Sequence, residues 1–267
     1  SIGKEVEKIY VVDDGCPENS GNLVKKNFND QRVTVIYNKV NIGIGGSSKR
    51  GFDEAFKNEN INVCIKIDGD GQMDTKNIKK FLEPFKSKRY LYVKGNRFHI
   101  HKNFLKMPLV RIFGNFTLSL ISKITTGQYN TFDITNGFIA LDKPVYQNID
   151  KKNISDDYFF ETSMVAEMRN IGCKVIDINI DTIYNNEKSN LKIKEILHKF
   201  IIKHILIFQK RILKEYIKTK KIFMILLILT IILSLGLSFF VFKFLYISIL
   251  FFLIFYIWDK NFKQLEN

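Results

Sequence analysis

The chain has 267 residues and a formal net charge of +14, a length that holds one medium domain and an appendage. Its three cysteines, Cys16, Cys64 and Cys173, are scattered and lack CxxC spacing, which excludes a disulfide framework and fits reduced thiols. The positive charge is concentrated from Lys192 to Lys221, just ahead of a long apolar stretch and without any nucleic-acid-binding signature; it points to an anionic membrane surface and away from nucleic acid.

Ile9 to Val12 reads as a short apolar strand ending at Asp13-Asp14-Gly15, and Val33 to Tyr37 as a second, ending at Asn38. From Gly45 to Lys57, helical spacing puts Phe52, Ala55 and Phe56 on one side. The glycine-rich stretch Asn41 to Lys49 lacks the Gly-Lys-Ser/Thr of a Walker loop. It also carries Ser48 where a dinucleotide fingerprint has its third glycine, so it reads as a turn into a helix N-terminus. Val63, Ile65 and Ile67 alternate as in a half-buried strand, and Thr75, read as an N-cap, opens a helix bearing Ile78, Phe81, Leu82 and Phe85. Leu91 to Lys94 and Val175 to Ile180 read as further strands. Strands alternating with helices over residues 1–190 imply an α/β domain with a mainly parallel sheet and ligands at the strands' carboxyl ends.

Two acidic motifs sit at such ends. In Asp68-Gly-Asp70-Gly-Gln72 the two carboxylates share one side of an extended chain. Such a pair repels itself unless a cation intervenes, and hard oxygen ligands suit Mg²⁺ or Mn²⁺ with substrate phosphates completing the shell. The motif alone is equally satisfied by a solvated acidic turn. An EF-hand is excluded, because Met73 and Lys79 stand where loop positions six and twelve require Gly and Glu.

From Leu191 to Tyr216 apolar residues recur at helical spacing among lysines, the pattern of a basic amphipathic helix in a membrane interface; residues 191–221 are assigned to it. Residues 222–258 are almost wholly apolar apart from Lys243, long enough for two spans of ~20 residues each. With lysines on both flanks this predicts a transmembrane hairpin with both ends in the cytoplasm and a cytoplasmic tail over 259–267, one long tilted helix being the alternative.

An ordered series of motifs then resembles the inverting family 2 glycosyltransferases of the GT-A fold, near the dolichyl- or polyprenyl-phosphate sugar transferases. The series runs Val11-Val12-Asp13-Asp14-Gly15, Asn41 to Gly45, Asp68 to Gln72, Gly95-Asn96-Arg97-Phe98, Pro108 with Arg111 and Asn115, Asp133 to Phe138, Phe159-Phe160-Glu161, and Tyr184 to Ser189. The resemblance implies that Asp13 and Asp14 contact the nucleotide, and that Asp68, Asp70 and Gln72 hold the metal at the donor diphosphate. It implies that Arg97 and Arg111 grip phosphate, that Asp133, Asn136 and Glu161 line the sugar and acceptor side, and that Lys188 and Ser189 lie in a loop closing over the site. The implied partners are a UDP- or GDP-sugar, Mg²⁺ or Mn²⁺ and a polyprenyl phosphate, with the catalytic domain on the cytoplasmic face of a membrane. A lipid phosphate is already ionised, whereas a hydroxyl on a growing glycan would need a carboxylate base, for which Asp133 and Glu161 are the candidates. A catalytically silent membrane scaffold is the alternative outside enzymology. Ser1 to Glu5 resembles the helix after the family's first strand, so the expected sheet is one strand short, and Ile139 stands where relatives often carry arginine.

Overall fold

The structure, a computed structural model, describes residues 2–87, 91–98, 109–181, 193–217, 225, 228–233 and 243–262, with the backbone alone for some helix-end residues, Arg111 among them. Two compact units emerge. Unit 1 comprises Ser1–Leu120 with Asn130–Lys192, and unit 2 comprises Ile121–Tyr129 with Ile193–Asn267.

Among the described residues unit 1 holds six strands: β1 (Ile9–Asp13), β2 (Val33–Tyr37), β3 (Val63–Lys66), β4 (Leu91–Asn96), β5 (Ile139–Asp142) and β6 (Lys174–Asn179). Its helices are α1 (Ser20–Asn27), α2 (Gly43–Lys57), α3 (Ile78–Ser87), the start of α4 (Leu109–Thr126), α5 (Lys143–Asn148) and α6 (Phe160–Asn170). β1 and β2 pair in parallel as one sheet, and a second sheet runs β3-β5-β4-β6.

The expectation of a mainly parallel sheet meets one exception, β5. β4 and β6 are parallel, but β5 is antiparallel to both β3 and β4. The cause is local. The turn at residues 133–138 lies against the carboxyl end of β4, where Gly95 N donates to Phe138 O. β5 therefore enters at that end, with Ile139 opposite both Lys66 and Lys94, and can only run backwards. Its residues Ile139–Asp142 are all buried and carry no alternation, so the pattern that marks a half-buried strand is missing.

Side-chain alternation divides the core into two layers. Tyr92, Ile139, Leu141 and Val175 face α2, α5 and α6 through Phe56, Tyr146, Phe160 and Met164. Leu91, Val93, Phe138 and Ala140 face α3 through Ile78, Phe81 and Phe85, with Phe81 stacked on Phe138 at 4.1 Å between ring centres. The 3₁₀ turn Thr75–Asn77 that leads into α3 is capped by Asp74, whose side chain accepts from Lys76 N; Thr75, expected as the cap, is its first residue.

Unit 2 contains α7 (Ile193–Ile212), continued by a π-helical turn Leu213–Ile217, a helical stretch at 228–233, and α8 (Lys243–Phe262). A small cluster of Ile212, Ile228, Ile231 and Phe255 packs them together. The hairpin expected over 222–258 is not seen: among the described residues no helix is long and apolar enough to cross a membrane. In α8 the uncharged run from Phe244 to Trp258 is closed by Lys243 on one side and Asp259 on the other. At about 1.5 Å per residue it amounts to ~22 Å, short of the ~30 Å of a hydrocarbon core. Residues 222–224, 226–227 and 234–242 lie outside the described residues.

Candidate active site at the strand ends of unit 1

The carboxyl ends of β1, β3 and β4 and the turn entering β5 carry most of the candidate residues. At the end of β1, both Asp13 oxygens accept backbone amides, Cys16 N at 2.8 Å and Gly21 N at 2.7 Å, so this buried carboxylate fastens β1 to the start of α1. Asp14 does the same for α2. It accepts from Ile42 N and Gly43 N, each at 2.9 Å, and from Asn38 Nδ2 at 2.7 Å. Burial alone would raise its pKa; the bonds from Ile42, Asn38, Ser47 and Gly43 outweigh that and lower it. The helix N-terminus that a phosphate would seek is thus answered by an internal anion. The glycines in the first turn of α2 serve close packing: Gly45 N and Gly46 N donate to Asp156 O, and a Cβ at Gly45 would stand 2.0 Å from Ser155 O.

Beyond β3, Asp68 is partly exposed and Asp70 is exposed. Lys66 Nζ meets Asp68 Oδ1 at 2.5 Å, and Asp70 Oδ1 accepts from Gln72 N at 3.0 Å. Asp68 Oδ2 lies against Gly137, where a Cβ would stand 2.4 Å from it. Among the described residues no group of three or more His, Cys, Asp or Glu converges as a metal cage. Two carboxylates fit a hard cation whose remaining ligands are waters and substrate phosphates.

Beneath this acidic turn lies a buried charge cluster that sequence reasoning passes over. Lys66 and Lys94 stand at the ends of β3 and β4 on the face turned toward α6. Lys66 Nζ is 3.3 Å from Gly137 O and 3.5 Å from Glu161 Oε1, and the fully buried Lys94 Nζ donates to Asn136 O at 2.7 Å. Two ammonium groups therefore hold adjacent carbonyls of one turn, with Glu161 as their shared counter-ion. Burial would lower the Lys66 pKa, but Asp68 and Glu161 outweigh it and raise it. Lys94, with no carboxylate in contact, is pushed down by burial to about 8. Burial lifts Glu161 above the usual carboxylate range against the pull of Lys66 and Lys94. A signal was present: each lysine occupies a core-facing position, two residues after Cys64 or Tyr92.

The same turn carries Asp133, fully buried, and Arg97 binds it through two parallel bonds, Nε at 2.7 Å and Nη2 at 2.8 Å, with Arg97 N adding a third at 3.0 Å. Asn136 closes the turn by donating to Gly95 O and accepting from Phe138 N. Asp177 on β6, also unforeseen, ties Asn96, Thr131 and Phe132 N together. The structure thus brings Asp68, Glu161, Lys66, Lys94, Arg97 and Asp133 around the 133–137 turn, and it links Asp13 and Asp14 to α1 and α2. Arg111 lies in α4, its side chain outside the described residues, as are Pro108, Lys188 and Ser189 altogether.

A family model described as glycosyl transferase family 2 matches residues 3–150. An uncharacterised protein of Methanocaldococcus jannaschii is 31% identical over 205 residues, covering 76% of this chain and 81% of that protein. The UDP-N-acetylglucosamine–dolichyl-phosphate N-acetylglucosaminyltransferase of Methanococcus voltae is 28% identical over 195 residues, covering 67% of this chain and 75% of its own length. A second uncharacterised M. jannaschii protein is 26% identical over 216 residues.

Proposed function

Because the chain belongs to glycosyl transferase family 2 and is a glycosyltransferase, we propose that it moves one sugar from a nucleotide-sugar to a polyprenyl phosphate at the cytoplasmic face of a membrane, with inversion. The observation that carries the choice of acceptor is the condition of the two candidate bases. Asp133 is buried with both oxygens on Arg97, and Glu161 is buried, raised in pKa and set against Lys66. Neither is placed to take a proton from an incoming hydroxyl. An acceptor that arrives ionised needs no base, and the M. voltae relative is named for such an acceptor.

In this reading Asp68 and Asp70, with Gln72, would hold Mg²⁺ or Mn²⁺, which when bound stabilises negative charge on the departing nucleoside diphosphate. Lys66 fixes one Asp68 oxygen and so would hold that carboxylate in place at the end of β3. Arg97, locked by Asp133, keeps its place at the end of β4 beside the turn that fronts the acceptor side; Arg111 is the second arginine assigned to phosphate. Asp13 and Asp14 shape the nucleotide pocket by fastening α1 and α2 to the strand ends.

The test is a donor screen with membranes carrying the full chain, comparing wild type with Asp70→Asn. The expected result is a metal-dependent, chloroform-soluble product, labile to mild acid, whose formation Asp70→Asn lowers by about a hundredfold or more. A purified protein that binds donor normally yet glycosylates only hydroxyl acceptors would overturn the lipid-phosphate reading.

A further inference from the structure

Asp68 is engaged at both oxygens. Its Oδ1 meets Lys66 Nζ at 2.5 Å, and its Oδ2 lies against Gly137. A Cβ at Gly137 would also stand 2.8 Å from Lys66 Nζ, so a larger residue there would push this ion pair aside. The 133–137 turn thus comes down directly onto the carboxylate assigned to the donor side. Asp70, by contrast, is exposed and accepts from Gln72 N within its own turn.

Lys66 has further partners within reach. Its Nζ lies 3.3 Å from Gly137 O and 3.5 Å from Glu161 Oε1. The second distance exceeds the about 2.8 Å of a formed ammonium–carboxylate bond, so Glu161 stands as a slack second counter-ion. The side chains of Lys66 and Glu161 are each 9% exposed, against 26% for Asp68. The pair with Asp68 therefore opens outward, and the pair with Glu161 lies deeper. Lys94 differs: fully buried, it gives Asn136 O a 2.7 Å bond, a fixed hold one residue from the exchangeable one. A divalent cation and an ammonium group repel each other across a shared carboxylate, and a buried charge without a partner is costly. A lysine that yields Asp68 therefore passes to the deeper carboxylate rather than to water.

We propose that Lys66 is a positioning residue shared by the two sides of the active site: it holds Asp68 against the turn at Gly137, and it yields to a cation taken up at Asp68 by passing to Glu161, which reseats the turn. The proposal rests on the functional reading for the cation at Asp68 and Asp70, and it deepens that reading by naming how the donor side reports to the acceptor side. Glu161 lies in the first turn of α6, and Gly137 lies in the turn that fronts the acceptor. Loading the donor side first then sets the geometry that the acceptor meets. By linkage, a cation that reseats the turn changes acceptor affinity by the same factor as the acceptor changes cation affinity.

The test titrates Mn²⁺ into the full chain, alone and with UDP or GDP, and reads the bound ion by water-proton relaxation enhancement. Amide hydrogen exchange at Gly95, Asn136 and Phe138, which bond within or against the turn, is followed in the same samples. In wild type, saturating Mn²⁺ should change the exchange of these amides severalfold. Lys66→Met removes the competing charge, so Mn²⁺ should bind on the order of tenfold more tightly, and the turn should no longer respond to it. Glu161→Gln removes the second counter-ion and leaves Lys66 on Asp68, so Mn²⁺ should bind on the order of tenfold more weakly. A lysine that only fills space between β3 and α6 would not move the two affinities in opposite directions. Affinities that fall together or stay unchanged overturn the proposal, as does a wild-type turn whose exchange ignores bound Mn²⁺. If Lys66→Met does not fold, Glu161→Gln and the wild-type exchange still decide. Wild type that takes up no Mn²⁺ under any of these conditions overturns the metal assignment itself, a failure of the functional reading that shows before any substitution is made.

Discussion

Both units of this chain bury charge, and they surround it with opposite materials. In unit 1 the pairs Lys66–Asp68 and Arg97–Asp133 lie at strand ends, under an exposed acidic turn that opens to water. In unit 2 the Arg211–Asp259 pair lies among helices whose outward faces are aliphatic. The contrast teaches what each set of charges is placed to do. Charges beneath a solvated turn hold a loop and its ligands in position, and Lys66 and Lys94 gripping successive carbonyls of the 133–137 turn do that. Charges buried among helices hold those helices together, as Arg211 does by bonding Asp259 and Ile124 O. The buried pair contributes little net stability in either case, yet removing one member leaves an uncompensated charge.

The comparison can be broken or sharpened by experiment. The largest effect is expected from Asp70→Asn, which removes an exposed carboxylate that accepts from Gln72 N within its own turn. Transfer should fall between about a hundredfold and a thousandfold while the melting temperature stays within a degree or two of wild type. A collapse of both would make the turn structural. Next come Lys66→Met and Arg211→Met, each leaving a buried carboxylate without its partner, at a cost of about 3–5 kcal/mol in stability by chemical denaturation. For Lys66→Met, hydrogen exchange should loosen the 133–137 turn. For Arg211→Met the loss should be confined to amides of α7 and α8. Loosening of the same amides in both variants would erase the distinction between the units.

A smaller, pH-resolved effect is expected at Lys94. Its folded pKa of about 8 lies below the usual 10.5, so between those values the unfolded chain holds more protons and stability rises with pH. The contribution is fully present above 10.5 and is lost as pH falls through about 8. Relative to wild type, Lys94→Met should remove this rise, on the order of 3 kcal/mol, seen as the difference between two denaturant titrations across pH 7–11. A difference that does not vary with pH would mean that folding leaves the Lys94 pKa unchanged. The smallest effect belongs to the outer faces of unit 2. Ile202→Ser, at a half-exposed position of α7, should shift stability in buffer by no more than about 0.5 kcal/mol while weakening vesicle binding.

Legibility in the sequence followed the kind of signal each element carries. β2 was readable over its full length, because Val33, Thr34, Val35, Ile36 and Tyr37 form a β-branched and aromatic run. α2 was readable from Phe52, Ala55 and Phe56, although it starts at Gly43 rather than Gly45. β5 escaped because a strand buried on both faces shows no period, and its direction depends on where the preceding turn docks. Asp68 and Asp70 stood out as paired carboxylates at a strand end, and Asp133 and Glu161 stood out through resemblance to a family. That Asp133 is committed to Arg97, and Glu161 to Lys66, is a matter of contacts between segments more than thirty residues apart. The hairpin expectation counted apolar residues over 222–258. It gave no weight to the partners of Asp259, which draw that end of α8 inward to Arg211 and Tyr129.

By itself, the sequence determined the family, the alternating α/β plan of the first two hundred residues and the acidic turn at Asp68 and Asp70. These rest on local periodicity and on residue chemistry within a few positions, which any chain carries openly. Only the tertiary structure decided that β5 runs backwards, that two lysines and a glutamate share a buried charge cluster beneath that turn, and that unit 2 turns its polar groups inward. Those outcomes depend on which distant carboxylate, carbonyl or ammonium becomes the partner of a group withdrawn from water, and burial makes that choice cost several kcal/mol either way.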